Sequence, residues 1–171
     1  MLIEHIIGNS NDPQFKNNSI DRVNIEWYDS KNKLHRLTSQ KGRDVAIRLS
    51  PQDQNRGLWQ GDVLAVVEND IIVVDIVPSK CLVLSCDNKI KLITLCYETG
   101  NRHAPFYYMP ETEKFIIPYD RPFEQLLQKL NLSFNIENVQ LDNRWRICAS
   151  AGHNHSHVHM KGSYTNAVAH E

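Results

Sequence analysis

Four of the eight histidines of this 171-residue chain fall within seven residues near its C-terminus: His153, His155, His157 and His159, alternating with Asn154, Ser156 and Val158. Alternate histidines at one end of a chain are hard to explain by packing and easy to explain by a transition metal. In an extended chain, residues i and i+2 point the same way and lie ~6.6–6.8 Å apart. The four imidazoles then form a row whose neighbours can converge on one ion. Neutral imidazole suits nickel, copper, zinc and iron. With an ordinary pKa of about 6.5, most such rings are neutral near pH 7, and acid discharges the metal because its ligands must be deprotonated. A solvated, functionless extension has the same composition, but the interruptions and the further sequence to Glu171 are unlike a purification tag. The row alone says "transition metal" and leaves storage, delivery and sensing open.

A second feature is Gly100-Asn-Arg-His-Ala-Pro105. A Gly-Asn pair ends a helix, and a lone histidine follows. On the plain reading His103 is a cap whose protonated form complements the helix C-terminus. On the other reading it sits on a dimer axis. An isologous interface places the same residue on both sides, so one histidine per chain supplies two ligands.

No familiar catalytic site is assembled elsewhere. H-E-x-x-H, the phosphate-binding G-x-x-x-x-G-K-[ST] and G-x-S-x-G are all absent. Glu111 and Glu113 read as a solvated turn, since perturbed carboxyl pKa values usually need burial. His5 and His35 fall in β segments with no partner ligand nearby in sequence and read as surface or hydrogen-bonded histidines rather than ligands, and His170 is terminal. Cys81, Cys86, Cys96 and Cys148 are scattered, without C-x-x-C, which suggests a reduced, cytosolic protein. Cys148 lies five residues before His153 and reads as a small apolar residue rather than a thiolate ligand. A net charge of −1 gives no reason to expect nucleic acid or an anionic membrane as partner. The longest apolar runs, such as Ile71-Ile-Val-Val74, are too short to span a bilayer. The N-terminus lacks the basic and apolar regions of a signal peptide.

The elements that must position these residues divide at Val77-Pro78-Ser79. Before it, residues 25–28, 44–50, 62–67 and 71–77 are rich in β-branched or aromatic residues and are separated by turn chemistry. This predicts an all-β unit of two small packed sheets, without a strong helix before residue 86. After it, a strand over 80–85 is followed by a helix that Asp87 caps and that runs to about residue 99, with Ile90, Ile93 and Tyr97 on one face and Gly100 near its end. Residues 106–109 and 114–117 form a hairpin. Asp120 caps a second helix with Pro122 in its first turn and Phe123, Leu126, Leu127 and Leu130 at helical spacing. Residues 134–141 close the sheet. The expected fold is α+β: a β-rich domain over 1–77, a ferredoxin-like βαββαβ domain over 78–148, and a flexible His-rich tail over 149–171.

Together, Trp27-Tyr-Asp29, Asp44-Val-Ala-Ile-Arg-Leu49, Gly61-Asp-Val-Leu64, Gly100-Asn-Arg-His-Ala104 and the terminal histidine run resemble the UreE family, the urease accessory nickel metallochaperones, from Ile6 to about residue 160. The resemblance implies a peptide-binding-like first domain and a ferredoxin-like metal-binding second domain. It also implies a cytoplasmic homodimer, or a dimer of dimers, that is not an enzyme. It delivers Ni²⁺ to the urease assembly complex, and a separate GTPase docks on it. It makes His103 the interfacial ligand shared with its symmetry mate and His153 the first ligand of the tail, with His155, His157 and His159 auxiliary. Some members carry further histidines after the third strand of the second domain, where Met109-Pro-Glu-Thr-Glu113 has none. Zn²⁺ or Cu²⁺ would also bind such ligands. Two other functions stay open: a histidine-rich metal buffer or storage protein, and a peptide- or partner-binding chaperone module using the edges of the first domain's sheets.

Overall fold

The computed structural model describes residues 1–147. Its first half contains β1 (Leu2–Ile3), β2 (Gly8–Asn9), β3 (Ser19–Ile25), β4 (Leu34–Thr38), β5 (Asp44–Arg48), the short helix α1 (Pro51–Arg56), β6 (Asp62–Val67) and β7 (Asp70–Ile76). The strands form two sheets, in the orders β1-β5-β4 and β2-β6-β7-β3. Alternation decides what faces inward. In β5, Val45 and Ile47 are buried between exposed Asp44 and Arg48. In β7 the run from Ile71 to Val74 is buried throughout, as a strand covered on both faces must be. Val45 and Ile47 of one sheet meet Val23, Ile25, Leu64, Ile72, Val74 and Ile76 of the other in a single core. Ile71 and Val73 point the opposite way, onto Val63 and Phe15.

Three local expectations need correction. The strand expected at residues 25–28 ends at Ile25, and the chain turns there, with the Asp29 N–H donating to the Glu26 carbonyl at 3.0 Å. The strand is Ser19–Ile25, paired in parallel with all of β7. Its polar Asp21, Arg22 and Asn24 mask it locally, and the pairing is long-range. β4 is not among the expected strands either, being an edge strand rich in polar side chains. α1 is a helix where only strands and turns are expected, although its signature is local: Ser50 accepts from the Asp53 N–H and Pro51 takes the first helical position.

The second half contains β8 (Ser79–Leu84), α2 (Lys89–Asn101), β9 (Tyr107–Met109), β10 (Lys114–Pro118), α3 (Arg121–Lys129) and β11 (Asn135–Val139). These strands make one sheet in the order β11-β8-β10-β9, antiparallel at every pairing. On one face, Leu82, Leu84 and Ile117 pack under Leu95 of α2 and Phe123 and Leu127 of α3. On the other, Cys81, Val83, Tyr107, Ile116 and Leu141 are covered by Trp145 and by Trp27, which also packs on the first core. Polar groups close the same seam. The Gln140 amide donates to the Ile76 carbonyl at 2.8 Å, and the Asn143 amide donates to Ser30 Oγ at 3.1 Å. No helix among the described residues is long and apolar enough to cross a membrane.

Asp62 ties α1 to β6. It has no exposed surface and accepts from Arg56 Nη1 at 2.6 Å, Arg56 Nη2 at 2.9 Å and the Trp59 N–H at 2.8 Å. Removing one partner of a buried charge pair strands the other. Arg56→Ala, which leaves the fully buried Asp62 carboxylate without its charge partner, is therefore expected to cost about 3–5 kcal/mol in urea unfolding, whereas Arg48→Ala at the exposed Arg48–Glu4 pair should leave the unfolding midpoint nearly unchanged.

Candidate metal centre

His103 owes its position to the way α2 begins, packs and ends. The helix starts one residue later than expected: Asn88, not Asp87, is its cap, with Oδ1 accepting from the Lys91 N–H at 3.0 Å. Its inward face is Leu92, Leu95 and Thr99, and Thr99 Oγ1 donates to the Leu95 carbonyl at 2.6 Å. The face formed by Ile90, Ile93 and Tyr97 is outermost. Ile90 is 76% exposed, Ile93 59% and Tyr97 66%. α2 carries two stripes at helical spacing, and periodicity alone cannot say which one the sheet covers.

The helix does not stop at Gly100. It continues through Asn101, and the residue that breaks it is His103, whose φ of 51° lies in the left-handed region. The His103 N–H donates to the Gly100 carbonyl at 3.0 Å and the Ala104 N–H to the Thr99 carbonyl at 3.1 Å, the paired bonds of a Schellman end. α3 ends in the same way. Asn131, with φ of 50°, donates to the Gln128 carbonyl at 3.0 Å, and the Leu132 N–H donates to the Leu127 carbonyl at 3.0 Å. Glycine or asparagine normally takes this position. Asn131 follows that preference and His103 does not. A side chain in the left-handed region costs roughly 1–2 kcal/mol, so local stability gives no reason for an imidazole here. The side chain is exposed and makes no hydrogen bond or ion pair with another described residue.

The remaining candidates are held apart. His5 is exposed and lies beyond the end of β1, not in a strand, with Nδ1 3.3 Å from Asp53 Oδ2. His35 lies in β4 with Nε2 3.0 Å from the Asn32 carbonyl, and burial lowers its pKa. Both are the hydrogen-bonded histidines that the sequence suggested. Glu111 and Glu113 are exposed in the turn between β9 and β10. Cys81 is buried within the sheet, and burial pushes its thiol up to about 11, far from thiolate chemistry at neutral pH. Among the described residues, no three His, Cys, Asp or Glu side chains converge on a point that would hold a metal. His153, His155, His157, His159, Cys148 and His170 lie outside the described residues. His103 stands exposed just past the end of α2. The signal for the exposed stripe was the second set of apolar residues, Leu92 and Leu95, two positions along.

Comparison with known proteins bears on both halves. Residues 3–77 match the model of the UreE urease accessory protein N-terminal domain, and residues 79–170 match that of its C-terminal domain. The urease accessory protein UreE of Helicobacter hepaticus is 38% identical over 147 residues, covering 86% of this chain and 84% of that protein. The protein of the same name from Helicobacter pylori is 35% identical over 153 residues, covering 90% and 89%. That of Helicobacter acinonychis is 34% identical over 154 residues, covering 90% of each.

The Schellman geometry separates a structural from a functional His103. Because α3 uses asparagine at the matching position, His103→Asn is expected to leave urea-unfolding stability unchanged or to raise it by up to about 1 kcal/mol. A loss above that size would mean that the imidazole itself supports the fold.

Proposed function

The chain belongs to the UreE family of urease accessory proteins, and from that premise we propose that it binds Ni²⁺ and delivers it to urease while the active site is assembled. It is an accessory protein of urease maturation and not an enzyme. The observation that carries the nickel reading is His103: an exposed imidazole at a left-handed helix end where glycine or asparagine would cost less. A single imidazole holds an ion weakly, and among the described residues no group of three or more His, Cys, Asp or Glu side chains forms around it. A second copy related by a two-fold axis supplies a second His103. The exposed Ile90, Ile93 and Tyr97 on the same helix are the kind of apolar surface that marks an association site.

On this reading His153 is the first tail ligand over the His103 pair, and His155, His157 and His159 add capacity. A site open at the surface, with part of its ligand set on a chain end, exchanges metal faster than a closed cage of four fixed ligands. Zn²⁺ and Cu²⁺ bind the same ligands, so nickel identity rests on the family. The units are residues 1–77 as a peptide-binding-like domain, 78–148 as a ferredoxin-like metal-binding domain and 149–171 as the tail. The strand order β11-β8-β10-β9 supports the second assignment. The carrier works in the cytoplasm as a homodimer, or a dimer of dimers, and docks with the GTPase of the urease assembly complex, which supplies the energy it has no phosphate loop to supply.

Calorimetric titration of the full chain with Ni²⁺ tests this. The carrier is expected to take up about one tight ion per dimer. That ion is lost in His103→Ala and weakened, not lost, when residues 149–171 are removed. Uptake that scales with the number of tail histidines and ignores His103→Ala would identify a metal buffer instead.

A further inference from the structure

We infer that residues 140–147 form a strap that carries the chain across the second sheet and plants the root of the tail beside His103, with Asn143 and Trp145 as its positioning residues. The inference rests on the reading that tail histidines join His103. The strand order makes such a strap necessary. β11 lies at one edge of the sheet and β9 at the other. His103 stands four residues before β9, so a chain that simply left β11 would start its tail at the wrong edge. Instead, Arg146 pairs with Tyr107 in an antiparallel bridge on the free side of β9, and the Ile147 N–H donates to the Phe106 carbonyl at 2.7 Å. From Val139 to Arg146 the chain crosses four strand spacings, about 19 Å. It does so in seven residues, whose full reach is at most about 23–25 Å. The crossing is nearly taut.

Each step of the crossing is held. Leu141 is buried against Cys81, Val83, Tyr107 and Ile116. Asp142, also buried, starts a 3₁₀ turn over Asn143–Trp145 by accepting from the Arg144 N–H at 2.9 Å. The Asn143 amide donates to Ser30 Oγ at 3.1 Å and to the Leu58 carbonyl at 3.4 Å, so the first half of the molecule holds the strap down. Trp145 packs on the same face as Leu141. Ile147 then reaches the helix side, lining a hollow with Leu92 of α2, Tyr108 and Phe115. Because the strap runs antiparallel to Phe106 and Tyr107, it heads towards His103. His153 follows Ile147 by six residues but Val139 by fourteen. The effective concentration of a tethered group falls roughly as the −3/2 power of linker length. Rooting the tail at Ile147 rather than at Val139 therefore raises the concentration of His153 at His103 roughly fourfold.

Competition for Ni²⁺ against a chelating dye tests the proposal in the full-length chain. Inserting about eight Gly and Ser residues after Ile147 lengthens the lead to His153 without touching the fold, and is expected to weaken Ni²⁺ binding roughly fourfold. Asn143→Ala combined with Trp145→Ala frees the strap and should give a loss of similar size in the full chain. The same pair of substitutions should change nothing in a chain lacking residues 149–171, because the coupling between strap and tail is then gone. Urea unfolding checks that the double variant folds, and the insertion decides the matter if it does not. A merely structural strap would change affinity equally with and without the tail. That result, or an insertion that leaves affinity unchanged, overturns the strap. If the insertion has no effect while His103→Ala loses the tight ion, the carrier reading stands without the strap. If His103→Ala keeps the tight ion, the carrier reading fails, and the inference with it.

Discussion

A helix can hold one side chain at a defined point in space only if its end is anchored, and the anchoring of α2 is the constraint on which this molecule depends. Leu92, Leu95 and Thr99 fix the helix against the sheet. The two Schellman hydrogen bonds then turn the chain sharply enough to leave the His103 imidazole outside the fold. The left-handed backbone at His103 is costly for a side chain. It persists because the turn before β9 is overdetermined: Thr99 and Gly100 supply both carbonyls, and Phe106, only three residues on, is already buried in the core.

The same economy governs the junction of the two halves. Trp27 is expelled from β3 by the turn at Glu26 and becomes the side chain that both cores share. Gln140 and Asn143 complete the seam with hydrogen bonds to Ile76 and Ser30. One face of the second sheet is thereby closed by the first half and the other by α2 and α3. Among the described residues, the outer face of α2, with Ile90, Ile93 and Tyr97, stays uncovered. The helix's inner stripe builds the protomer.

The sequence carried the parts that are local. Asp120 caps α3 through the Phe123 N–H, as its position before Pro122 suggested. Phe123 and Leu127 are buried at the expected spacing. The hairpin of β9 and β10 lies where its apolar runs place it. Long-range features were not legible. β3 is recognisable only once β7 lies beside it, and the choice between the two stripes of α2 is made by the sheet. The stopping signal of α2 misled for a related reason. The Gly-Asn pair places the end of the helix at Gly100, but the left-handed residue that ends it stands three positions later, at a histidine. His103 itself was legible as a candidate because it stands alone after a helix, while the resemblance of Gly100-Asn-Arg-His to the family's motif gave it a role. The histidine row of the tail was the loudest signal, and it falls outside the described residues.

The central claim is that two copies share one ion through His103. Anomalous scattering at the nickel edge from nickel-loaded crystals of the full chain tests it most directly. The account predicts one strong nickel peak on a two-fold axis, bonded by the imidazoles of His103 from both copies, with any further ligand coming from the tail. Nickel held only by tail histidines of a single chain, with the two His103 side chains remote from it, would contradict the account.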